Sequence, residues 1–201
     1  MDTNLLLDIV RGLATPPYEI YRTAVVPFNR SRRENDAEHS FSLGLVAMCL
    51  APLVDETLDT GLIAKYALIH DLPEIYSGDI SVYADAATLA SKPQLEKEAR
   101  EKMAADFGDS LPWLIDVIER YERLEDGESR FVYALDKMLP HALIVIGDHH
   151  PVKPRWDDYK ATEDVARAKI ERTFPALVGP FEELCREFAR RPHLFSSPPP
   201  R

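Results

Sequence analysis

Cysteine is scarce in this chain of 201 residues: there are two, Cys49 and Cys185, so a disulfide framework is not expected. Apolar runs are short, none approaching the roughly 18–20 residues that span a bilayer, and no membrane partner is expected. The start, MDTNLLLDIVRG, has an acidic residue ahead of a brief apolar stretch and lacks the basic opening of a secretory signal. These features make the expected location cytoplasmic. Positive charge is in deficit, with 24 Lys and Arg against 34 Asp and Glu and a net charge of −10. Such a field repels a phosphate backbone, which argues against nucleic acid as a partner, yet a small phosphorylated ligand needs only a local concentration of positive charge. No glycine-rich phosphate loop, CxxC pair, GxSxG elbow or internal repeat is present. What the chain does have is 45% hydrophobic and 9% aromatic residues, enough for a sizeable core and too many for a disordered chain.

The periodicity is helical almost throughout, and the fold class expected is all-α: one domain over residues 1–190, with additional C-terminal helices. Leu5, Ile9 and Leu13 lie on one face of a short first helix that Pro16-Pro17 stops. Residues 18–36 show little helical period and hold Arg22, Arg30, Arg32 and Arg33, a local excess of positive charge. A helix capped by Asn35 or Asp36 runs to about Ala51, and another spans roughly Asp59 to His70. Further helices are expected near 92–107, 111–124, 129–147 and 181–190, with a long segment starting at Asp157 or Thr162. The proline-rich end, residues 191–201, reads as a flexible tail.

Three of these helices place ionisable groups on apolar stripes. His39 shares a face with Leu43, Val46 and Leu50; His70 follows Ile63 and Ala67 on theirs, with Asp71 beside it; Asp136 sits among Val132, Leu139 and Leu143. Singly, each has an ordinary reading: a hydrogen-bonded core histidine, or an aspartate capping a turn. A lone buried carboxylate is costly unless paired or metal-bound, however, and Lys137 points elsewhere on the helix. Together, two imidazoles and two carboxylates make a nitrogen and oxygen donor set suited to one divalent transition metal.

The order His39, His70-Asp71, Asp136 resembles the H…HD…D signature of the HD-domain metal-dependent phosphohydrolases. The words ENDAEHS (34–40), HDLPEIYSGDI (70–80) and RYERLEDGESRFVYALDKM (120–138) resemble the 5′-deoxynucleotidase branch of that superfamily, over roughly residues 5–147. The resemblance implies a helical bundle whose metal, within 35–140, is held by His39, His70, Asp71 and Asp136. It implies catalysis through Glu74, a place in the substrate site for Asp79, and phosphate binding by Arg22. One departure stands out: the family carries tryptophan three residues after that arginine, and this chain has Val25. The resemblance also implies a nucleotide substrate and a homo-oligomer, with the apolar faces around 111–124 and 181–190 as contacts.

Ester cleavage at phosphorus needs a polarised centre and a strong nucleophile, which a bound dication supplies. The cofactor expected is therefore one Mn, Co, Zn, Ni or Fe ion. Glu74, four residues after His70, stays close enough to move protons. Arg22, Arg30, Arg32 and Arg33 offer bidentate guanidinium contacts to phosphate. The favoured activity is hydrolysis of deoxynucleoside 5′-monophosphates to nucleoside and phosphate. A triphosphohydrolase is the runner-up, because the extra arginines suit extra phosphates, and a nucleotide-sensing regulatory module comes third. A two-iron oxygenase would want further histidines between His39 and His70, and there are none. His149 and His150 read as loop surface or site rim, His141 as structural and His193 as tail. Cys49 and Trp113 read as packing, Cys185 has no neighbour in sequence that argues for a nucleophile, and Trp156 reads as packing or lining a substrate entrance.

Overall fold

The computed structural model describes residues 3–197, without the side chains of Val25 and Arg30. Nine α-helices are found among these residues: α1 (Thr3–Ile9), α2 (Asp36–Val54), α3 (Thr60–Ile69), α4 (Glu74–Ser77), α5 (Ala86–Phe107), α6 (Pro112–Glu122), α7 (Gly127–Gly147), α8 (Trp156–Thr173) and α9 (Val178–Ala189). The expected all-α class holds, with one local addition: residues 21–35 form an antiparallel hairpin, β1 (Tyr21–Val26) and β2 (Asn29–Asn35). Its register is irregular, pairing Tyr21 with Asn35, Val25 with Arg33 and Val26 with Asn29. The hairpin seats closely against the end of α7, where a Cβ on Gly147 would stand 2.9 Å from Pro27.

Helix starts follow local chemistry. Asn35 caps α2 in a reciprocal box with Glu38, Asp126 does the same for α7 with Ser129, and the Asp59 carboxylate accepts from the first amides of α3. Prolines proved poor stops: α2 continues through Pro52, α5 starts well before Pro93, and α7 carries Pro140. Pro140 has no N–H to give the carbonyl of Asp136, one helical turn earlier.

The main core joins α2, α3, α6 and α7 through Leu43, Ala47, Ile63, Tyr66, Ile118, Phe131 and Val132, all essentially without solvent contact. A second, aromatic cluster corrects the reading of the tail. Leu194 and Phe195 are buried, and Phe195 packs at 5.1–5.3 Å from the rings of Phe188, Tyr159 and Trp156. Ser196 N–H and the Ser197 carbonyl pair with Pro154 and Trp156, so residues 191–197 are anchored. The prolines suggested fraying, but an apolar pair among them contributes about 1.5–3 kcal/mol for each ring or branched chain buried. Trp156 is thus a packing residue.

Other expectations are corrected too. Cys49 and Trp113 are exposed, whereas His150 is buried rather than lying on the loop surface. The apolar sides of α6 and α9 face inward through Leu114, Val117, Ile118, Tyr121, Phe181, Cys185 and Phe188, leaving little for contacts between copies. Exposed apolar side chains gather instead on α2, at Phe41, Leu45 and Met48. By length and composition α2 is the one helix among the described residues apolar enough to cross a membrane, which the short apolar runs of the sequence did not suggest. Here it packs on α3 and α7 and carries Asp36 and His39 inward.

Two histidines away from the site set an acid limit on stability. Burial holds His141, among Tyr159, Phe181 and Phe188, and His150, against Tyr83 and Phe188, down to about 4. The unfolded chain takes up these protons below about pH 6.5 and the folded chain does not, so stability falls between pH 6.5 and 4 and is untouched above. We expect His141→Leu to lose up to about 2 kcal/mol less than the parent between pH 7 and pH 5 in urea denaturation. An identical loss in both would contradict this account.

Candidate metal centre

Four segments distant in sequence deliver their polar ends to one buried point. The first turn of α2 brings Asp36 and His39, the end of α3 brings His70 and then Asp71, the middle of α7 brings Asp136, and β1 brings Arg22. His39 is fully buried, with Nε2 2.9 Å from Asp136 Oδ1. His70 Nε2 lies 3.1 Å from Asp71 Oδ2 and 3.8 Å from Asp136 Oδ1. Asp71 Oδ2 is 3.8 Å from His39 Nε2.

The orientation of His70 is set from behind. Its Nδ1–H donates to the Ala67 carbonyl at 3.0 Å, which turns Nε2 toward the cluster, where it is buried. Buried Glu34 stands 3.6 Å behind the Nδ1 of His39, in the place of a carboxylate that orients a ligating imidazole. The donor atoms of His39, His70 and Asp136 all lie within 4.8 Å of one another. Ligands around an ion with bonds near 2.1 Å sit about 3.0 Å apart when adjacent and about 4.2 Å apart when opposite, so the set fits one divalent cation.

Charge in the cluster is unbalanced. Asp36, Asp71, Glu74, Asp79 and Asp136 face Arg22 and Lys137. Arg22 Nη1 donates to Asp71 Oδ2 at 2.6 Å and reaches Asp36 Oδ1 at 3.5 Å, and Nη2 lies 3.9 Å from Asp136. Burial acts to lower the pKa of His70, but Asp71 and Asp136 outweigh it and raise it to about 10. Burial would raise Asp71, yet His70 and Arg22 hold it well below the usual carboxylate range. Burial, then Asp71 and Asp36, push Glu74 up to about 10, and burial with Asp71 raises Asp36 to about 7. Asp79 is also raised, first by burial. Protons gather where a cation would sit.

Of the residues singled out in the sequence, His39, His70, Asp71, Asp136, Arg22, Glu74 and Asp79 meet here. Gly78, at φ 72°, makes the sharp turn between Glu74 on α4 and Asp79, a conformation that favours glycine. Arg32 does not join them: its guanidinium grips both carboxylate oxygens of Glu38 at 2.7 and 2.8 Å on the surface. Arg33 is exposed, and the Arg30 side chain lies outside the described residues, as does that of Val25. Lys137 corrects the reading of the sequence, because its flexible stem brings Nζ to 2.6 Å from Asp136 Oδ2. Sequence reasoning passed over Glu34 and Asp36. The i, i+3 spacing of Asp36 and His39 carried the signal for Asp36, while Glu34 sits on a strand that no pattern announced.

Comparison with known proteins agrees with this geometry. A model of the HD domain matches residues 19–178. The chain is 30% identical over 117 residues to the human 5′-deoxynucleotidase HDDC2, covering 58% of this chain and 55% of that one. It is 30% identical over 122 residues to the Dictyostelium discoideum protein of the same name, covering 58% and 64%. The chain thus spans little more than half the length of these relatives. A crystal structure described as a predicted metal-dependent phosphohydrolase from Magnetospirillum magnetotacticum superposes with a TM-score of 0.74 at 28% identity, over 96% of this chain and 94% of that one. With most of its length matched by the family model, and the signature side chains converging on one buried point, the chain belongs to the HD-domain family.

Proposed function

We propose that this chain is a metal-dependent phosphohydrolase that removes the 5′ phosphate of nucleotides, with deoxynucleoside 5′-monophosphates as its favoured substrates. The observation that carries the reading is the nest of His39, His70 and Asp136, in which His70 Nε2 is turned inward beside a half-buried arginine and the half-buried Glu74. The names borne by the relatives support the substrate class.

His39, His70, Asp71 and Asp136 would hold the metal, which when bound supplies Lewis acidity toward phosphorus and lowers the pKa of water. Arg22, with its fork already among carboxylates, is positioned to take a phosphate oxygen. Glu74 holds a proton at neutral pH in this environment and is suited to giving it to the departing 5′ oxygen. Asp79, half-buried on the far side of the Gly78 turn, is placed to accept a hydrogen bond from the sugar.

The test is product analysis of ribo- and deoxynucleoside mono-, di- and triphosphates incubated separately with manganese, cobalt or zinc. Orthophosphate and nucleoside from deoxynucleoside monophosphates are expected; no turnover of any nucleotide with metal bound would refute the reading. Glu74→Gln should keep its metal and lose about 10²–10⁴-fold in kcat. Loss of metal instead would make Glu74 a ligand. Arg22→Ala should keep its metal and raise KM by about 10–100-fold, and an unchanged KM would remove its phosphate role.

A further inference from the structure

The two carboxylate oxygens of Asp136 face different partners. Oδ1 stands on the side of the centre, 2.9 Å from His39 Nε2, 3.8 Å from His70 Nε2 and 3.9 Å from Arg22 Nη2. Oδ2 is taken by the next residue in the chain, Lys137, whose Nζ donates to it at 2.6 Å. Consecutive side chains on a helix point about 100° apart, so Lys137 has to curl its stem back to make this contact. The ammonium is held from a second side as well: Tyr133, one turn earlier on α7, presents its ring to Nζ with the centroid 4.8 Å away. A third of the Lys137 side chain is exposed while that of Asp136 is buried.

A buried aspartate needs a cationic partner, and on that count alone Lys137 would be an ordinary neutralising group. Oδ1 already has Arg22 and two imidazoles beside it, however, and a dication held by His39, His70, Asp71 and Asp136 would compensate the same carboxylate again. With that dication bound, a lysine on Oδ2 brings like charge close to it, a cost without return unless the contact does something for the ligand. What it does is geometric. A carboxylate gives a metal one oxygen or both, and an oxygen engaged by an ammonium at 2.6 Å is withheld. We propose that Lys137 is a positioning residue that confines Asp136 to one-oxygen coordination of the metal. The place a chelating carboxylate would fill is then left for water or a phosphate oxygen, which a reactive centre needs and a purely structural one does not. This rests on the metal ligands proposed above and not on the choice of substrate.

The test is cobalt(II) binding to the full chain without turnover, reading metal content, dissociation constant, visible absorption and X-ray absorption. Lys137→Met and Lys137→Ala remove the ammonium, and Lys137→Arg keeps a cationic donor. The first two are expected to gain one oxygen neighbour per cobalt, with a matching fall in the intensity of the visible bands, and to bind cobalt about tenfold tighter. Lys137→Arg should stay within about twofold of the parent in affinity, with the parent's spectrum. A merely structural role predicts the opposite sign, because loss of a supporting partner typically weakens metal binding by about 10–100-fold. An unchanged spectrum in both Lys137→Met and Lys137→Ala, weaker binding by them, or the same change in Lys137→Arg would each overturn the proposal. A parent that binds no cobalt would remove the metal centre and this inference with it. Cobalt spectra that behave as expected in a chain that hydrolyses no nucleotide would uphold the role of Lys137 and refute only the function proposed above.

Discussion

The contact between His39 and Asp136, 2.9 Å across 97 positions of sequence, ties α2 to α7 at the point where negative charge is most concentrated. Carboxylates in a poorly solvated interior repel one another, and the fold tolerates them only by surrounding them with cationic groups. Arg22 arrives from the hairpin, Lys137 from α7, and protons on His70 and Glu74 make up part of the remainder. The hairpin therefore has a clear purpose: held against the end of α7 at Gly147 and Pro27, it carries a guanidinium into the middle of a helical bundle. A centre so short of positive charge is prepared for a dication.

Function follows from the same imbalance. The chain as a whole repels polyanions, yet Arg22 and Lys137 bring positive charge into the centre itself. Glu74 keeps its proton because burial, and then Asp71 and Asp36, disfavour its charge, and Gly78 turns the chain so that Asp79 comes back to the same space. The histidine and aspartate set, Glu74 and the Arg22 guanidinium thus occupy neighbouring positions on independent elements, which lets each be held rigidly by the core behind it.

Much of this was readable beforehand because it lies on helices. His39, Asp136 and the Ile63–His70 stripe betray themselves through apolar neighbours three, four and seven positions away, and Asn35 and Asp59 mark their helix starts by their cap chemistry. What escaped lies where local pattern is weak. The second strand, NRSRREN, is wholly polar and the pairing is irregular, so no apolar alternation announces the hairpin or Glu34. Lys137 reaches Asp136 through a flexible side chain rather than by its angle on the helix. Residues 191–197 are held by Leu194 and Phe195 meeting rings from α8 and α9, a contact that proline content does not reveal. Arg32 was plausible as a phosphate ligand until Glu38, its partner across the start of α2, accounted for it.

The central claim is that His39 and His70 share one cation with Asp71 and Asp136. X-ray absorption on the cobalt- or zinc-loaded chain, with metal content measured in parallel, tests it most directly. The account predicts one ion per chain with two imidazole ligands, falling to one imidazole or to loss of metal in His39→Ala. A full complement of metal with no imidazole in its coordination, or metal binding unchanged in His39→Ala, would contradict it.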